Sequence, residues 1–198
     1  MRFIRFAGTV LLFVAVAILA GCGAMNAQNT GTTYKPANAT PDAEGNALML
    51  KGYDVVSYFV DNKDSIGSAS FRSNYQGITF QFTSAEHKAL FEKAPTRYLP
   101  EFGGYCANGI VYGLPWGGDG DTWKMIDGKL YIFGGHGSKD AFLLDEAGNL
   151  ALAKKYWVDE VQGSNSFSQR TKRMVFRVPH YKSGEELAKA VAAAKAKN

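Results

Sequence analysis

Apolar and polar residues alternate on both sides of a Gln-Gly dipeptide at positions 76–77, which is the pattern of two strands joined by a tight turn. A two-residue turn fixes the register of the strands that flank it. The predicted hairpin therefore pairs Tyr75 with Ile78 and Phe71 with Phe82, and its aromatic side chains share one face.

A second hairpin is predicted at positions 122–133, where TWKMI and KLYIF flank an Asp-Gly dipeptide. Asp-Gly favours a type I′ turn because both residues tolerate positive φ. In that register Lys124 lies opposite Tyr131. The other face carries four apolar side chains: Trp123, Met125, Leu130 and Ile132.

Between the two hairpins, helical spacing replaces the alternation. Thr83 and Glu86 have the spacing of a capping box, and Pro95 marks the end of the predicted helix after Ala94. The inner face repeats at i, i+3, i+4 and i+7 and comprises His87, Leu90, Phe91 and Ala94. We therefore expect His87 to point toward the core.

The second half of the chain mixes short elements with glycine-rich segments. The pattern predicts a strand at 105–112, loops at 114–121 and 134–137 (the second one mobile), and helices at 139–144 and 147–161. Positions 170–182 are basic, and we expect them to form a solvated strand face; the alternative is contact with anionic lipid or an acidic partner. Ser183 and Glu186 cap a short Ala/Lys helix that should pack weakly, because it has few large apolar residues.

The N-terminal segment has the pattern of an export signal. Arg2 and Arg5 precede an apolar run at 10–20 that is short for a membrane span. Leu-Ala-Gly-Cys at 19–22 resembles the lipobox of bacterial lipoproteins, in which the cysteine is lipidated. The alternatives are a plain signal peptide and an N-terminal anchor helix. The expected organisation is a signal peptide at 1–21 and a flexible tether at 22–47 that begins with lipidated Cys22.

This organisation predicts a cellular location. Gly23 after the cysteine indicates sorting to the outer membrane, so the protein should face the periplasm in the bacterial cell envelope, held there by the acyl chains on Cys22. An envelope protein is also a candidate partner. Oligomeric state has no signal in the sequence.

Composition and charge narrow the function further. The chain has 198 residues, of which 46% are hydrophobic, enough for a substantial core. Removing Arg2 and Arg5 from the 22 basic residues leaves 20 against 18 acidic residues, a net charge of +2. Such a balance argues against nucleic-acid binding. If Cys22 carries lipid, Cys106 is the one thiol left, and an intramolecular disulfide is impossible.

Residues 52–157 resemble the YHS-domain family, in the extended form of secreted and periplasmic bacterial proteins. The matching segments are GYDVVSYF at 52–59, YQG at 75–77, FQFTS at 80–84, Phe91, Pro95, YLP at 98–100, GGYCA at 103–107 and DGKLY at 127–131. The resemblance implies an α+β fold, with a small antiparallel sheet of hairpins and packed helices, over residues 48–162. Residues 163–198 would form a basic segment and a C-terminal helix outside that domain.

The short metal-linked relatives carry two cysteines at the strand-to-helix turn, where this chain has Thr83 and His87. The leading hypothesis is a binding protein for copper or zinc, because thiolate and imidazole suit these metals. Its ligands would be Cys106 and His87, with His136, Met125 or Met49 as the third. The alternative is that His87 and Cys106 are ordinary core residues without a ligand.

Two further hypotheses dispense with a metal. The second is a ligand- or protein-interaction module with an aromatic pocket formed by Tyr53, Tyr98, Tyr105 and Trp123. The third is a thiol-dependent enzyme in which Cys106 is activated by His87 or His136 together with Asp127. We expect binding rather than catalysis, because the spacing of these residues matches no known nucleophile motif.

Overall fold

The computed structural model describes residues 32–34 and 36–197. The predicted signal peptide at 1–21 and the lipidation site Cys22 lie outside the described residues. No helix within this described part is both long and apolar enough to cross a membrane.

The described residues form a mixed α+β fold, as predicted. Its strands are β1 Ala39–Pro41, β2 Ala47–Met49, β3 Ser68–Tyr75, β4 Ile78–Phe82, β5 Asp119–Ile126 and β6 Lys129–Phe133. Its helices are α1 Ser57–Val60, α2 Ala85–Lys93, α3 Pro95–Tyr98, α4 Ala107–Ile110, α5 His136–Leu143, α6 Glu146–Tyr156, α7 Ser166–Val175 and α8 Gly184–Lys195. Short 3-10 turns occur at Leu50–Gly52 and Glu101–Gly104, and a π turn at Trp157–Val161 extends α6.

The strands form two separate sheets. The first has the order β1-β2-β4-β3, with antiparallel pairs at both edges and one parallel contact between β2 and β4, at Leu48 and Thr79. The second is the β5–β6 hairpin. The first sheet is therefore not purely antiparallel, as the prediction had it. β2 and β4 are parallel because a longer connection, not a hairpin, joins them.

The β5–β6 hairpin forms with the predicted register. Trp123 pairs with Ile132, Lys124 with Tyr131, and Met125 with Leu130. Asp127 and Gly128 both have positive φ, at 51° and 71°, as a type I′ turn requires.

Both faces of this hairpin are buried, so it separates two hydrophobic cores. Leu130 and Ile132 belong to the core beneath the first sheet. Tyr131 and Phe133 belong to a second core formed with α4, α5 and α6. A hairpin buried on both faces fixes the position of the two halves of the molecule relative to each other.

The first hairpin follows the prediction only near its turn. Tyr75 pairs with Ile78 as expected, but Phe82 lies opposite Ser68 instead of Phe71. The register shifts between Ser68 and Arg72, where β3 bulges. The predicted pairing of Phe71 with Phe82 is therefore wrong, because alternation does not reveal the three extra residues in β3.

The start of α2 also differs from the predicted capping box. Ser84 is the N-cap, and its hydroxyl accepts the backbone N–H of His87 at 3.1 Å. Thr83 instead binds the carboxylate of Asp54. The helix ends near Ala94 as expected, its inward-facing His87 and Phe91 are buried, and Pro95 begins α3.

Part of the predicted tether is ordered. Residues 36–47, which we had placed in the flexible segment 22–47, include β1 and a buried Ala37. The Asn38 side chain donates hydrogen bonds to the backbone oxygens of Gly104 and Gly118, at 3.0 and 2.9 Å. The low hydrophobicity of the segment gave no indication of this contact, because hydrogen bonds from a polar side chain to backbone oxygens hold the segment in place.

Three predictions in the second half were wrong. The predicted strand at 105–112 contains the short helix α4 instead, because this stretch is buried on all sides and its alternation carries no information about faces. The basic segment contains helix α7 rather than a strand, capped by Asn165, whose side chain accepts the N–H groups of Phe167 and Ser168. The predicted mobile loop at 134–137 is shorter, because α5 begins at His136 after Gly135 turns the chain with φ 105°.

Candidate functional site

Cys106 lies at the junction of β6 and α4. It forms a parallel bridge with Ile132, and its backbone N–H donates to the carbonyl of Trp116 at 2.9 Å. Its sulfur is 3.0 Å from the hydroxyl oxygen of Ser138, on the first turn of α5. The residue is only 4% exposed, so the backbone and Ser138 hold the thiol in a defined orientation.

This thiol lines a cavity of about 670 Å³. One wall comes from α4 and the turn after it, a second from the start of α5, and a third from α8. The lining includes Cys106, Asn108, Tyr112, Leu114, Trp116, Ser138, Asp140, Tyr181, Lys182, Leu187, Ala188, Val191 and Lys195. A mainly apolar wall with few polar groups and a volume of several hundred Å³ is typical of small-molecule sites.

Asn108 is a buried polar side chain in this wall that the fold leaves unsatisfied. It is 7% exposed, lines the cavity, and has no side-chain hydrogen-bond partner among the described residues. An unpaired buried amide destabilises a protein unless water or a ligand bonds to it. Asn108 is therefore available to bond a molecule in the cavity through both its donor and its acceptor atoms.

The charges at the cavity are few and mostly compensated. Lys195 contacts Asp140 at 2.6 Å, and the hydrogen bond from this lysine lowers the pKa of the Asp140 carboxyl. Burial, followed by the neighbouring Tyr181, raises the pKa of Tyr112, so its phenol stays protonated and neutral. Lys182 contributes one further positive charge to the lining, so the site suits a neutral or weakly anionic molecule better than a cation.

Helix α8 forms the exposed side of this cavity. Its capping box between Ser183 and Glu186 is present as predicted. None of its residues is buried, yet Leu187 and Val191 face the cavity, and Lys195 joins the helix to α5. The expectation of weak packing thus agrees with its exposure, while its contribution to the cavity wall was not foreseen.

His87 belongs to a different set of contacts, centred on Asp54. Asp54 is fully buried, and its Oδ2 lies 2.7 Å from His87 Nδ1 and 2.8 Å from both the N–H and the hydroxyl of Thr83. Its Oδ1 accepts the N–H of Val56 at 2.9 Å. On the other side of the ring, Nε2 is 3.7 Å from the exposed carboxylate of Asp61. This network joins the segment before α1 to the start of α2.

The predicted metal centre is not assembled. Cys106 contacts Ser138, whereas His87 contacts Asp54, Thr83 and Asp61. The described residues contain no group of three or more His, Cys, Asp or Glu side chains that could hold a metal ion, so Cys106, His87 and His136 do not form one. Within the described residues, Cys106 and His87 therefore contact separate sets of side chains, because the inward side of α2 faces Asp54.

The four aromatic residues predicted to form a pocket pack in or against the two cores. Tyr98 is buried and packs edge-on against Phe59, and Trp123 packs edge-on against Tyr58. Tyr105 donates its hydroxyl to the carbonyl of Ala37 at 3.0 Å and belongs to the second core. The ring of Tyr53 lies against Gly120, where a Cβ would be 2.4 Å away. None of the four lines the cavity at Cys106.

Comparison with known proteins finds no matching family model, no matching curated protein and no matching solved structure.

Some of the candidate-site residues that sequence reasoning missed do carry a signal. Asn108 is a single polar residue inside the apolar run at 105–112, and that position is unfavourable unless its amide is bonded. Leu187 and Val191 are four residues apart and therefore share one helix face. Ser138 has no such signal, because its proximity to Cys106 depends on the position of α5.

Proposed function

We propose that the protein is a lipid-anchored binding module of the bacterial cell envelope, and that the cavity at Cys106 holds a small, mainly apolar ligand with one hydrogen-bonding group. The lipobox-like segment at 19–22 supports the anchoring and the outer-membrane location. The similarity of residues 52–157 to the YHS-domain family supports a binding role in the envelope.

One observation carries the ligand-binding proposal: Asn108 is buried, unpaired and in the wall of a cavity of about 670 Å³. A cavity of this size with a mainly apolar wall favours uptake of an apolar molecule from water. Asn108 would bond the polar group of that molecule, and the thiol of Cys106 would lie beside it. Such a site needs no metal.

We expect the chain comprising residues 23–198 to bind the fluorescent probe N-phenyl-1-naphthylamine with saturable, one-to-one stoichiometry. The probe combines two apolar ring systems with one N–H group, which matches the cavity wall and the Asn108 carbonyl. Fluorescence titration gives the dissociation constant. Asn108→Ala should raise it about fivefold, since a net hydrogen bond contributes about 1 kcal/mol.

The location of the probe is checked with two equivalent substitutions on α8. Ala188 lines the cavity, whereas Ala193 does not. Ala188→Trp should abolish saturable binding by filling the space, and Ala193→Trp should leave it unchanged. Equal binding by both variants, or binding that never saturates, would show that the cavity is not a ligand site.

A further inference from the structure

The charged side chains of the segment that contains α7 are all positive. Between positions 166 and 182 there are five basic residues and no Asp or Glu; the five are Arg170, Lys172, Arg173, Arg177 and Lys182. We refer to residues 166–182 as the basic apolar surface. Lys172 and Arg173 both contact Glu160, which compensates part of this charge.

The remaining cations have no carboxylate partner. Arg170 and Arg177 form no ion pair among the described residues; instead their guanidinium groups lie over aromatic rings. Arg170 is 5.9 Å from the ring centre of Trp116, and Arg177 is 4.5 Å from that of Tyr181. Arg170 Nε also donates to the carbonyl of Ser166 at 3.2 Å. Such pairs keep a cation beside apolar surface while its remaining N–H groups can bond an anion.

The same surface exposes three consecutive apolar side chains at the end of α7. Met174, Val175 and Phe176 are 61%, 67% and 68% exposed. Single exposed apolar residues are ordinary, but a contiguous group surrounded by cations is typical of an interaction surface. The backbone there is held by Arg173, which donates to the carbonyl of Phe176 at 3.1 Å.

We propose that the basic apolar surface docks on an anionic lipid bilayer. Met174, Val175 and Phe176 enter the headgroup region, while Arg170, Arg177 and Lys182 contact lipid phosphates. The inference rests on the proposed anchoring in the envelope, which holds this surface close to a membrane. A lipid surface fits better than an acidic polypeptide, because an adjacent apolar tip and aromatic–cation pairs suit the boundary between headgroups and acyl chains.

Docking there would also place the cavity next to the bilayer. Trp116 and Tyr181, which carry the two stacked arginines, both line the cavity at Cys106, as does Lys182. An apolar ligand would then exchange between the bilayer and the cavity without crossing much water.

Hydrogen–deuterium exchange on the full-length protein tests the docking. The protein is reconstituted into vesicles of phosphatidylcholine alone and into vesicles that also contain phosphatidylglycerol, so that anchoring is the same in both. Amide exchange within 166–182 should slow about tenfold in the anionic vesicles when about nine molecules in ten are docked. No such change is expected in the neutral vesicles.

Two variants and one control identify the groups responsible. The triple variant Met174→Ser, Val175→Ser, Phe176→Ser and the double variant Arg170→Gln, Arg177→Gln should each lose the slowing. Val158→Ser should retain it, because Val158 is equally exposed, at 68%, but lies outside this surface.

Several outcomes would overturn the docking. These are unchanged exchange in anionic vesicles, equal slowing in neutral vesicles, slowing by polyglutamate without lipid, and slowing that depends on protein concentration without lipid. The last two would assign the surface to an acidic polypeptide or to a second copy of the chain. Binding of N-phenyl-1-naphthylamine, measured on the same protein, reports separately whether the cavity is a ligand site.

Discussion

Replacing Asp54 with alanine is expected to lower the free energy of unfolding by about 3–5 kcal/mol, the range for breaking a buried charged network. Asp54 is fully buried and accepts bonds from Val56, Thr83 and His87. Alanine would deprive these donors of their carboxylate partner, and the N–H of Val56 lies in a fully buried position where no water replaces it. The loss is a large fraction of a typical domain's stability, so the midpoint of urea unfolding should fall markedly.

Asp61→Ala is the matched control for this prediction. Asp61 also approaches His87, at 3.7 Å, but its side chain is 45% exposed. Its removal should change the unfolding free energy by less than about 1 kcal/mol, as for other exposed ion pairs. If the two variants unfold at the same urea concentration, the Asp54 network does not stabilise the fold as described.

Phe91→Ala should be comparably destabilising, by about 3–5 kcal/mol, because it opens a cavity in the first core. Phe91 is 1% exposed and lies at the centre of an aromatic cluster, with ring centres 4.6 Å from Phe80 and 5.2 Å from Phe82. Tyr75 packs against it edge-on at 6.2 Å. The measurement is again urea unfolding followed by circular dichroism.

Phe176→Ala provides the comparison for Phe91→Ala, since Phe176 is 68% exposed. This substitution should change stability by no more than about 0.5 kcal/mol. A small effect at Phe91 would contradict the position of α2 against the first sheet.

Local sequence signals predicted the elements that local interactions determine. The β5–β6 hairpin was correct in register because Asp127 and Gly128 define the turn, and the cap of α8 was correct because Ser183 and Glu186 satisfy each other. The inward position of His87 also followed from helical spacing. The overall class, a mixed α+β fold, agrees with what the resemblance of residues 52–157 implied.

The residues that surround Cys106 in the candidate site were not predicted, because tertiary packing brings them together. Cys106 and His87 are the ends of one local unit in the sequence, yet the fold directs them to different partners, Ser138 and Asp54. Those partners lie in distant segments of the chain. Hydrophobic periodicity does not reveal how distant segments pack together. The role of α8 in the cavity wall was missed for the same reason.

The ordered part of the predicted tether shows a second limit of prediction from the hydrophobic pattern. Hydrophobic pattern detects burial of apolar surface, but Asn38 is held by hydrogen bonds to the carbonyls of Gly104 and Gly118. A polar side chain that bonds backbone in another part of the chain has no periodic signature.

The central claim is that the cavity at Cys106 binds a ligand, and the rate of thiol modification tests it most directly. In the chain comprising residues 23–198, Cys106 is the one cysteine. Mass spectrometry can follow its reaction with methyl methanethiolsulfonate with and without N-phenyl-1-naphthylamine. At ten times the dissociation constant, the probe should slow the reaction about tenfold, since about one molecule in ten remains free. A rate that does not change when the probe is saturating would contradict the assignment of this cavity as the ligand site.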